Sequence, residues 1–326
     1  MLNIYISENV KTKTDRTVSK IRKTDSICDD SWINLIAPSD EEIAELVEKL
    51  DVPEEFLRSP LDDEERPRID TDEDTDSLLM IVDIPLVQDN GRPDLLETVP
   101  LGIIIKKRQI ITVSLREVKI LNAFAENQVK DCKVGYRNRF AIQIMYAAAG
   151  EFLRLLRQVD KSIESSEKEL AKITTNKELY RLLDLSKTLV YFSTSLKSDE
   201  AVLEKLNHGP TTIRTYEEDE ELLDDVIIEF KQAMEMADIY MSVVSHTLDA
   251  YASIINNNMN DIMKIMAAAT IALSVPTIIS SFFGQNCVMP WDAGFSSHPV
   301  PFFVLLASGI FSIGVAIVIL RKHRML

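Results

Sequence analysis

Short runs of Ile, Val and Leu recur through the first third of the chain and predict β-strands. Such runs, bounded by turn residues, are typical of strands buried in a sheet. Asn90-Gly91 predicts a hairpin turn between two of them, and Ser39 with Glu42 predicts the capped start of an amphipathic helix that continues through Leu50. We therefore expect a mixed α/β domain here, with strands at residues 2–6, 32–36, 78–84, 99–105 and 110–115.

From Asn138 onward the apolar pattern changes to the spacing of helices. One stretch alternates steps of three and four residues, which predicts a coiled-coil seam that ends at the Asn-His-Gly-Pro sequence of residues 207–210. Neither Gly nor Pro occurs from residue 211 to 275, so we expect one helix over about 217–283, roughly 100 Å long at 1.5 Å per residue. The seam, which skips Asp199, consists of Leu182, Leu185, Leu189, Phe192, Leu196, Leu203 and Leu206.

Two apolar runs near the C-terminus predict a transmembrane hairpin. Residues 265–283 and 300–320 each approach the ~20 residues that a helix needs to cross a bilayer. The loop between them contains no Lys or Arg, whereas residues 321–324 read Arg-Lys-His-Arg. Because cytosolic loops carry the excess of basic residues, both termini are expected in the cytosol of a multi-pass protein of the cell membrane.

These patterns together predict an α+β chain made of six segments. They are a cytosolic α/β domain (1–135), a helical stalk with the coiled-coil seam (136–261), a first transmembrane helix (262–284), an outer loop (285–299), a second transmembrane helix (300–320) and a basic cytosolic tail (321–326).

One face of the first transmembrane helix is mostly small or polar. Its members, here called the polar stripe, recur at alternate steps of three and four: Asn260, Met263, Ala267, Thr270, Ser274, Thr277 and Ser281. Tight packing of helices through small residues is one explanation. Amides at both ends, at residues 256–260 and at Gln285-Asn286, favour a pathway for cations instead, because their carbonyl oxygens hold a hydrated ion.

The stripe carries no carboxylate, which bears on the ion. Mg²⁺ gives up its waters reluctantly, so neutral oxygens suit it, whereas a ring of carboxylates binds too tightly for release. One helix per chain cannot enclose a pore, so a pathway requires a homo-oligomer. Met263 and Met266, near the cytosolic mouth, are candidates for a ring that closes the pathway by dewetting.

Charge and composition argue against several other classes of function. The formal charge is −16, and Asp292 is the one charged residue from 267 to 320, so the cytosolic part is strongly acidic. An acidic domain repels nucleic acids and attracts cations. The four histidines are scattered and there is no glycine-rich phosphate loop, so we expect neither an enzyme nor an organic cofactor. A membrane-anchored sensor that does not conduct remains an alternative.

The residues resemble the CorA family of magnesium transport proteins over most of the chain. The similarity is strongest at 222–225, at 257–264 and at 283–290. The family signature is Gly-Met-Asn, and Gly284-Gln285-Asn286 stands in its place. The resemblance implies a funnel-shaped homopentamer that imports Mg²⁺ down the membrane potential through a filter at these three residues. Asn286 corresponds to the residue whose ring binds the hydrated ion. Because Gln285 departs from the signature, a Zn²⁺ or Co²⁺ transporter remains an alternative.

The resemblance also assigns pore and regulatory positions. Asn260, Met263, Met266, Thr270, Ser274 and Thr277 correspond to pore-facing positions of the family. Asp225 corresponds to an acidic residue of a regulatory metal site between subunits. The partner position falls near Ser59, which is not acidic, so Asp62 or Asp63 would have to replace it. We hypothesise that cytosolic divalent cations, Mg²⁺ foremost, bridge acidic surfaces between protomers and hold the pore shut.

Overall fold

A computed structural model describes residues 1–11, 17–87, 92–170, 176–208, 217–284 and 300–322. The chain divides into two compact units, Met1–Leu248 and Asp249–Leu326. The first unit contains all the strands that the structure describes. The division lies inside the longest helix.

The first unit is built on a seven-stranded mixed sheet. Its strands are β1 (Leu2–Lys11), β2 (Thr17–Thr24), β3 (Ser31–Ile36), β4 (Arg68–Asp72), β5 (Ser77–Leu86), β6 (Glu97–Ile105) and β7 (Gln109–Ser114). Their order across the sheet is β2-β1-β3-β7-β6-β5-β4. Strands β3 and β7 run parallel, and all other neighbours are antiparallel. The predicted α/β domain is therefore confirmed.

The two edge strands, β2 and β4, were not predicted. Strand β4 contains no fully buried residue, and β2 contributes only Ile21 to the core among its side chains that the structure describes. An edge strand buries few side chains and so lacks the apolar run that marks a central strand. Strand β1 likewise extends to Lys11, beyond the predicted end at residue 6. The predicted turn at Asn90-Gly91 lies outside the described residues, although β5 and β6 pair as a hairpin would.

Helices cover both faces of the sheet because alternate strand residues point to opposite sides. On one side, Leu79 and Ile81 of β5 belong to the core formed with α1 (Asp40–Leu50) and α2 (Glu54–Arg58). On the other side, Met80 and Val82 belong to the core formed with α3 (Lys119–Ala125), α4 (Arg137–Leu170), α5 (Asn176–His208) and the first-unit part of the longest helix.

The predicted start of α1 is confirmed in detail. The Glu42 amide donates to Ser39 Oγ at 3.2 Å, and the Ser39 amide donates to Glu42 Oε2 at 3.0 Å. This reciprocal pair satisfies two N–H groups that a helix start leaves without partners. The helix ends at Leu50, and Asp51 follows in the left-handed conformation.

The seam predicted on α5 faces the interior. Six of its apolar residues are at most 1% exposed, and Leu206 is partly buried. Helix α5 packs against α4 and also against β4, β5 and β6. Asp199, at the skipped position, is fully buried as well.

The long helix that the sequence predicted is α6 (Glu217–Phe283), which has 67 residues. Helix α7 covers Val300–Lys322. In the described part of the chain, α6 alone holds a stretch long and apolar enough to cross a membrane, within Asp219–Ser281, and only 6% of its most apolar window is buried inside the chain. The apolar stretch found in α7, Leu306–Val318, is shorter. One candidate span is therefore confirmed, whereas the second crossing stays a prediction.

Candidate ion pathway

The polar stripe lies on α6 in the second unit, and the rest of the chain does not cover it. All seven of its side chains are exposed in the single chain, with Met263 at 62%. At about 100° per residue, the seven positions fall within roughly 100° of arc around the helix axis. Met266, at 63% exposure, lies at the flank, about 80° from Ser274.

A different face of α6 is the one that the second unit covers. Ala268 is fully buried, and Ala272, Val275 and Ile279 are partly buried. These positions lie roughly 140° around the helix from the stripe. Helix α7 also has a covered face of small residues, with Ala316 buried and Ser308 and Ser312 partly buried. Small residues thus do serve packing inside this unit, but they are not the residues of the stripe.

Three hydroxyl groups of the stripe bond back to the helix. Thr270 Oγ1 donates to the Met266 carbonyl at 2.8 Å, Ser274 Oγ to the Thr270 carbonyl at 2.7 Å, and Thr277 Oγ1 to the Leu273 carbonyl at 2.8 Å. Each hydroxyl has one proton and two lone pairs. Because the proton is used within the helix, the lone pairs remain available as acceptors on the exposed face. Such acceptors suit a cation or the waters around it.

The charged side chains near the N-terminal end of the stripe lie outside its arc. Asp261 and Lys264 form an ion pair with each other at 3.0 Å. By helix geometry, Asp261 lies about 140° from Ser274 and Lys264 about 80°. The exposed face therefore presents amide, hydroxyl, methyl and thioether groups without a fixed charge.

The predicted filter lies just beyond the C-terminal end of α6. The Gly284 amide donates to the carbonyls of Ser280, at 2.9 Å, and Ser281, at 3.2 Å, which closes the last turn of the helix. Gly284 is exposed. Gln285 and Asn286 lie outside the described residues, so the structure gives them no geometry.

Pro276 lies inside α6 between two stripe residues, and the prediction from sequence gave it no role. Proline has no N–H, so the Ala272 carbonyl one turn earlier lacks its usual helical donor. Both residues are partly buried, on the covered face rather than on the stripe. A proline inside a predicted span is the sequence signal for a helix carbonyl that lacks its usual donor.

The predicted regulatory residue, Asp225, is exposed on α6 in the first unit. Its candidate partners are engaged locally: Asp63 pairs with Arg116 at 2.9 Å, Asp62 Oδ1 accepts from the Glu64 amide at 3.0 Å, and the Ser59 hydroxyl accepts from Arg68 at 3.3 Å. Among the described residues, no group of three or more His, Cys, Asp or Glu side chains is placed to hold a metal ion. The described residues of one chain therefore give Asp225 no set of metal ligands.

Comparison with known proteins identifies the family. The model of the CorA-like Mg²⁺ transporter protein family matches residues 30–322. The chain belongs to this family. The CorA-like proteins are divalent-cation transporters of membranes and not enzymes, which confirms the resemblance and the prediction of a non-enzymatic transporter.

One curated relative is the cobalt/magnesium transport protein CorA of Methanocaldococcus jannaschii, which is 27% identical over 296 residues, 89% of this chain and 90% of the relative. The complete structure of the CorA magnesium transporter from that organism superposes with a TM-score of 0.82 at 26% identity, covering 99% of this chain and 98% of the other. The structure of full-length CmaX has a TM-score of 0.71 at 15% identity, over 99% and 97% of the two chains. This last similarity bears on the fold alone.

Proposed function

We propose that this chain forms a homopentamer that imports Mg²⁺ across the cell membrane, driven by the membrane potential, with the polar stripe of α6 lining the pathway. The observation that carries the proposal is the position of the stripe: it is exposed in the single chain, while a separate small-residue face of α6 is the covered one. The M. jannaschii relative, named for cobalt and magnesium transport, favours Mg²⁺ as the cargo with Co²⁺ as a second one.

Exposed apolar residues of α6 favour an assembly of several copies. The most apolar window of α6 is only 6% buried, so lipid or other protomers must cover the remainder. In the first unit, α6 also leaves Ile228 and Ile239 exposed at 61% and 59%, together with Val243. These three residues share one face of the helix, since steps of 11 and 4 residues return close to the same direction. A row of exposed apolar residues on a stalk helix suits contact with another copy of the chain.

The chemistry of the stripe suits a hydrated ion in transit. Backbone-bonded hydroxyls offer acceptors of moderate strength, and the Asn260 amide adds another at the cytosolic end. An ion that keeps its waters exchanges water-mediated contacts easily as it moves. Conduction requires binding that is weak enough to release the ion, which neutral oxygens provide.

At the outer end, Gly284, Gln285 and Asn286 form the proposed filter. Five Asn286 amides would present a ring of carbonyl oxygens to the hydrated ion, as the resemblance implies. Gln285 places a second amide where the family signature has an apolar thioether, and this is where preference among Mg²⁺, Co²⁺ and Zn²⁺ would be set. In the proposed orientation, the basic tail at 321–326 and the acidic first unit both lie in the cytosol.

We place the gate at Met263 and Met266 and its control in the acidic cytosolic part. Five chains at −16 carry about −80, a strong self-repulsion that divalent cations between protomers would offset. Asp225 is exposed and available for such a bridge. When cytosolic Mg²⁺ falls, the bridges empty, the protomers separate, and the methionine ring opens. The regulation is therefore negative feedback on import.

Cysteine accessibility tests the pathway. In a variant whose native Cys28, Cys132 and Cys287 are replaced by serine, Ser274→Cys is treated with a membrane-impermeant, positively charged thiol reagent. We expect modification to block Mg²⁺ flux. The matched control, Val275→Cys, lies about 100° away around the helix on the covered face and should keep its flux after treatment. Equal block, or no block, at both positions would show that the stripe does not line the pathway.

A further inference from the structure

A carboxyl group is fully buried where α5 packs against β5. The Asp199 side chain is 0% exposed, and its Oδ1 accepts a hydrogen bond of 2.8 Å from the Asp83 amide. Strand β4 pairs with β5 only up to the Arg68–Ile81 position, so Asp83 lies beyond its end. On this open edge of β5, the Asp83 amide needs an acceptor. Asp199 therefore supplies the hydrogen-bond partner that a longer β4 would have provided.

A second carboxyl group belongs to the same contact. Asp83 Oδ2 accepts from Ser195 Oγ at 2.6 Å, and this hydroxyl is 2.8 Å from Thr98 Oγ1. The other oxygen of Asp199, Oδ2, is buried and has no hydrogen-bond partner among the described residues. An ionised carboxylate oxygen without a donor is costly in such a place, because burial removes its water and nothing replaces it.

No positive charge among the described residues offsets the pair. Lys197 and Glu200 flank Asp199 on α5, but they turn to Asp238 and Lys231 of α6. Burial raises the pKa of Asp199 well above its ordinary value, and the charge of Asp83 raises it further. Burial also raises the pKa of Asp83, partly offset by the Ser195 hydrogen bond, and within the described chain no lysine, arginine or histidine acts on either group.

We propose that Asp199 and Asp83 share one proton at neutral pH, with Asp199 Oδ2–H donating to the Asp83 carboxylate. The pair then carries one negative charge instead of two, and the buried Oδ2 gains the partner that it otherwise lacks. The shared proton holds the C-terminal half of α5 against β5. A bound Mg²⁺ is a poorer occupant, since it requires six oxygens and keeps several waters, whereas this site offers two carboxyls and two hydroxyls, and its Asp199 is fully buried.

The sign of the pH dependence follows from linkage. A carboxyl whose pKa is raised in the folded state stabilises the fold fully below its unfolded pKa of about 4, and the contribution is lost as the pH rises through the folded value. The unfolding temperature of the wild type should therefore fall as the pH rises through the pKa of the folded state. Asn at position 199 keeps the acceptor for the Asp83 amide and supplies an N–H donor that never dissociates. The unfolding temperature of Asp199→Asn should therefore fall less at alkaline pH than that of the wild type.

Infrared spectroscopy of the full-length protein in detergent tests the proton directly. At pH 7, the wild type should show the C=O stretching band of a protonated carboxyl group, and Asp199→Asn should lose it. The control is Asp184→Asn, on the same helix, which removes a carboxylate that pairs with Arg92. This control should keep the band.

Two results would overturn the proposal. One is absence of the band from the wild type, or its persistence in Asp199→Asn. The other is stabilisation of the wild type by MgCl₂ at pH 7 that Asp199→Asn loses, without a protonated band, which would make the pair a cation site. If circular dichroism shows that Asp199→Asn does not fold, Asp83→Asn serves instead. Burial still raises the pKa of Asp199 in that variant, so the band should remain but change its frequency, because the proton then meets an amide oxygen instead of a carboxylate. A lost or unmoved band would count against the proposal.

Discussion

The Ser274 hydroxyl donates a hydrogen bond of 2.7 Å to the carbonyl oxygen of Thr270, four residues earlier on α6. Thr270 in turn donates to Met266, and Thr277 donates to Leu273. These hydroxyls thus donate their protons in hydrogen bonds to backbone carbonyls, and their oxygen lone pairs remain as acceptors on an exposed face. The chain belongs to a family of divalent-cation transporters, and the proposed role of this face is to line the ion pathway.

The first prediction concerns the hydroxyl of Ser274. Ser274→Val removes the acceptor, and Ser274→Thr is the control of matching shape that keeps it. We expect Mg²⁺ uptake of Ser274→Val into proteoliposomes to fall about fivefold, equivalent to the loss of about 1 kcal/mol. Ser274→Thr should retain most of the flux. Ser280→Val makes the same change about 100° away from the stripe and should have little effect. An equal loss in both Val variants would indicate a general effect on folding.

The second prediction concerns the close approach of the sheet to the 3₁₀ turn Ser59–Leu61. A Cβ at Gly102 would lie 2.2 Å from Pro60 Cγ, too close for any side chain. We expect Gly102→Ala to lower the thermal unfolding midpoint, with a loss of about 1–3 kcal/mol. Gly150→Ala, on α4 with no atom within 4 Å of the new Cβ, is the control and should stabilise slightly.

A double mutant checks the cause of that loss. Pro60→Gly removes the ring that the new methyl group at position 102 would meet, so the two substitutions together should cost less than the sum of their separate effects, by about 1 kcal/mol. Strict additivity would show that the penalty of Gly102→Ala arises elsewhere in the strand.

Much of this fold could be predicted from the sequence because its central elements have strong periodicity. The apolar runs of β3, β5, β6 and β7 and the seam of α5 are buried, and α6 has the predicted bounds. Edge strands β2 and β4 were not predicted because they bury almost no apolar side chains. The burial of Asp199 could not be foreseen either. Its partner Asp83 is 116 residues away along the chain, and local spacing carries no information about that contact.

The third prediction tests the regulatory role of Asp225. If Mg²⁺ bridges this carboxylate to a neighbouring protomer, Asp225→Lys should raise the Mg²⁺ concentration needed for protection from proteolysis about tenfold, as expected for the loss of a charged ligand worth about 1.4 kcal/mol. Chymotrypsin is the suitable protease, because the new lysine creates no site for it. Asp224→Lys, at the adjacent exposed position, is the control. An unchanged profile in Asp225→Lys would remove this residue from the gating mechanism.

The fourth prediction concerns the departure from the family signature. Gln285→Met restores the thioether and removes an amide from the proposed filter, so the ratio of Mg²⁺ to Zn²⁺ uptake should rise. Gln285→Leu removes the amide as well and should shift the ratio in the same direction. The ratio is measured with ion-sensitive dyes in the same vesicles. A ratio that stays constant in both variants would show that residue 285 does not set the ion preference.

The candidate pathway was predictable in part. The stripe could be recognised because steps of three and four residues mark one face of a helix, whichever fold contains it. That the stripe is left uncovered, and that Ala268 and Ala316 provide the packing face, required the structure. The regulatory role of Asp225 stays a prediction, because periodicity within one chain carries no information about contacts between protomers.

Potential-driven uptake of Mg²⁺ into proteoliposomes tests the central claim most directly. The purified protein is reconstituted into vesicles loaded with a Mg²⁺-sensitive dye, and an inside-negative potential is applied. We predict Mg²⁺ entry that depends on the potential and is lost in Asn286→Ala. Absence of Mg²⁺ entry from reconstituted protein shown to be pentameric would contradict the account and favour a sensor that does not conduct.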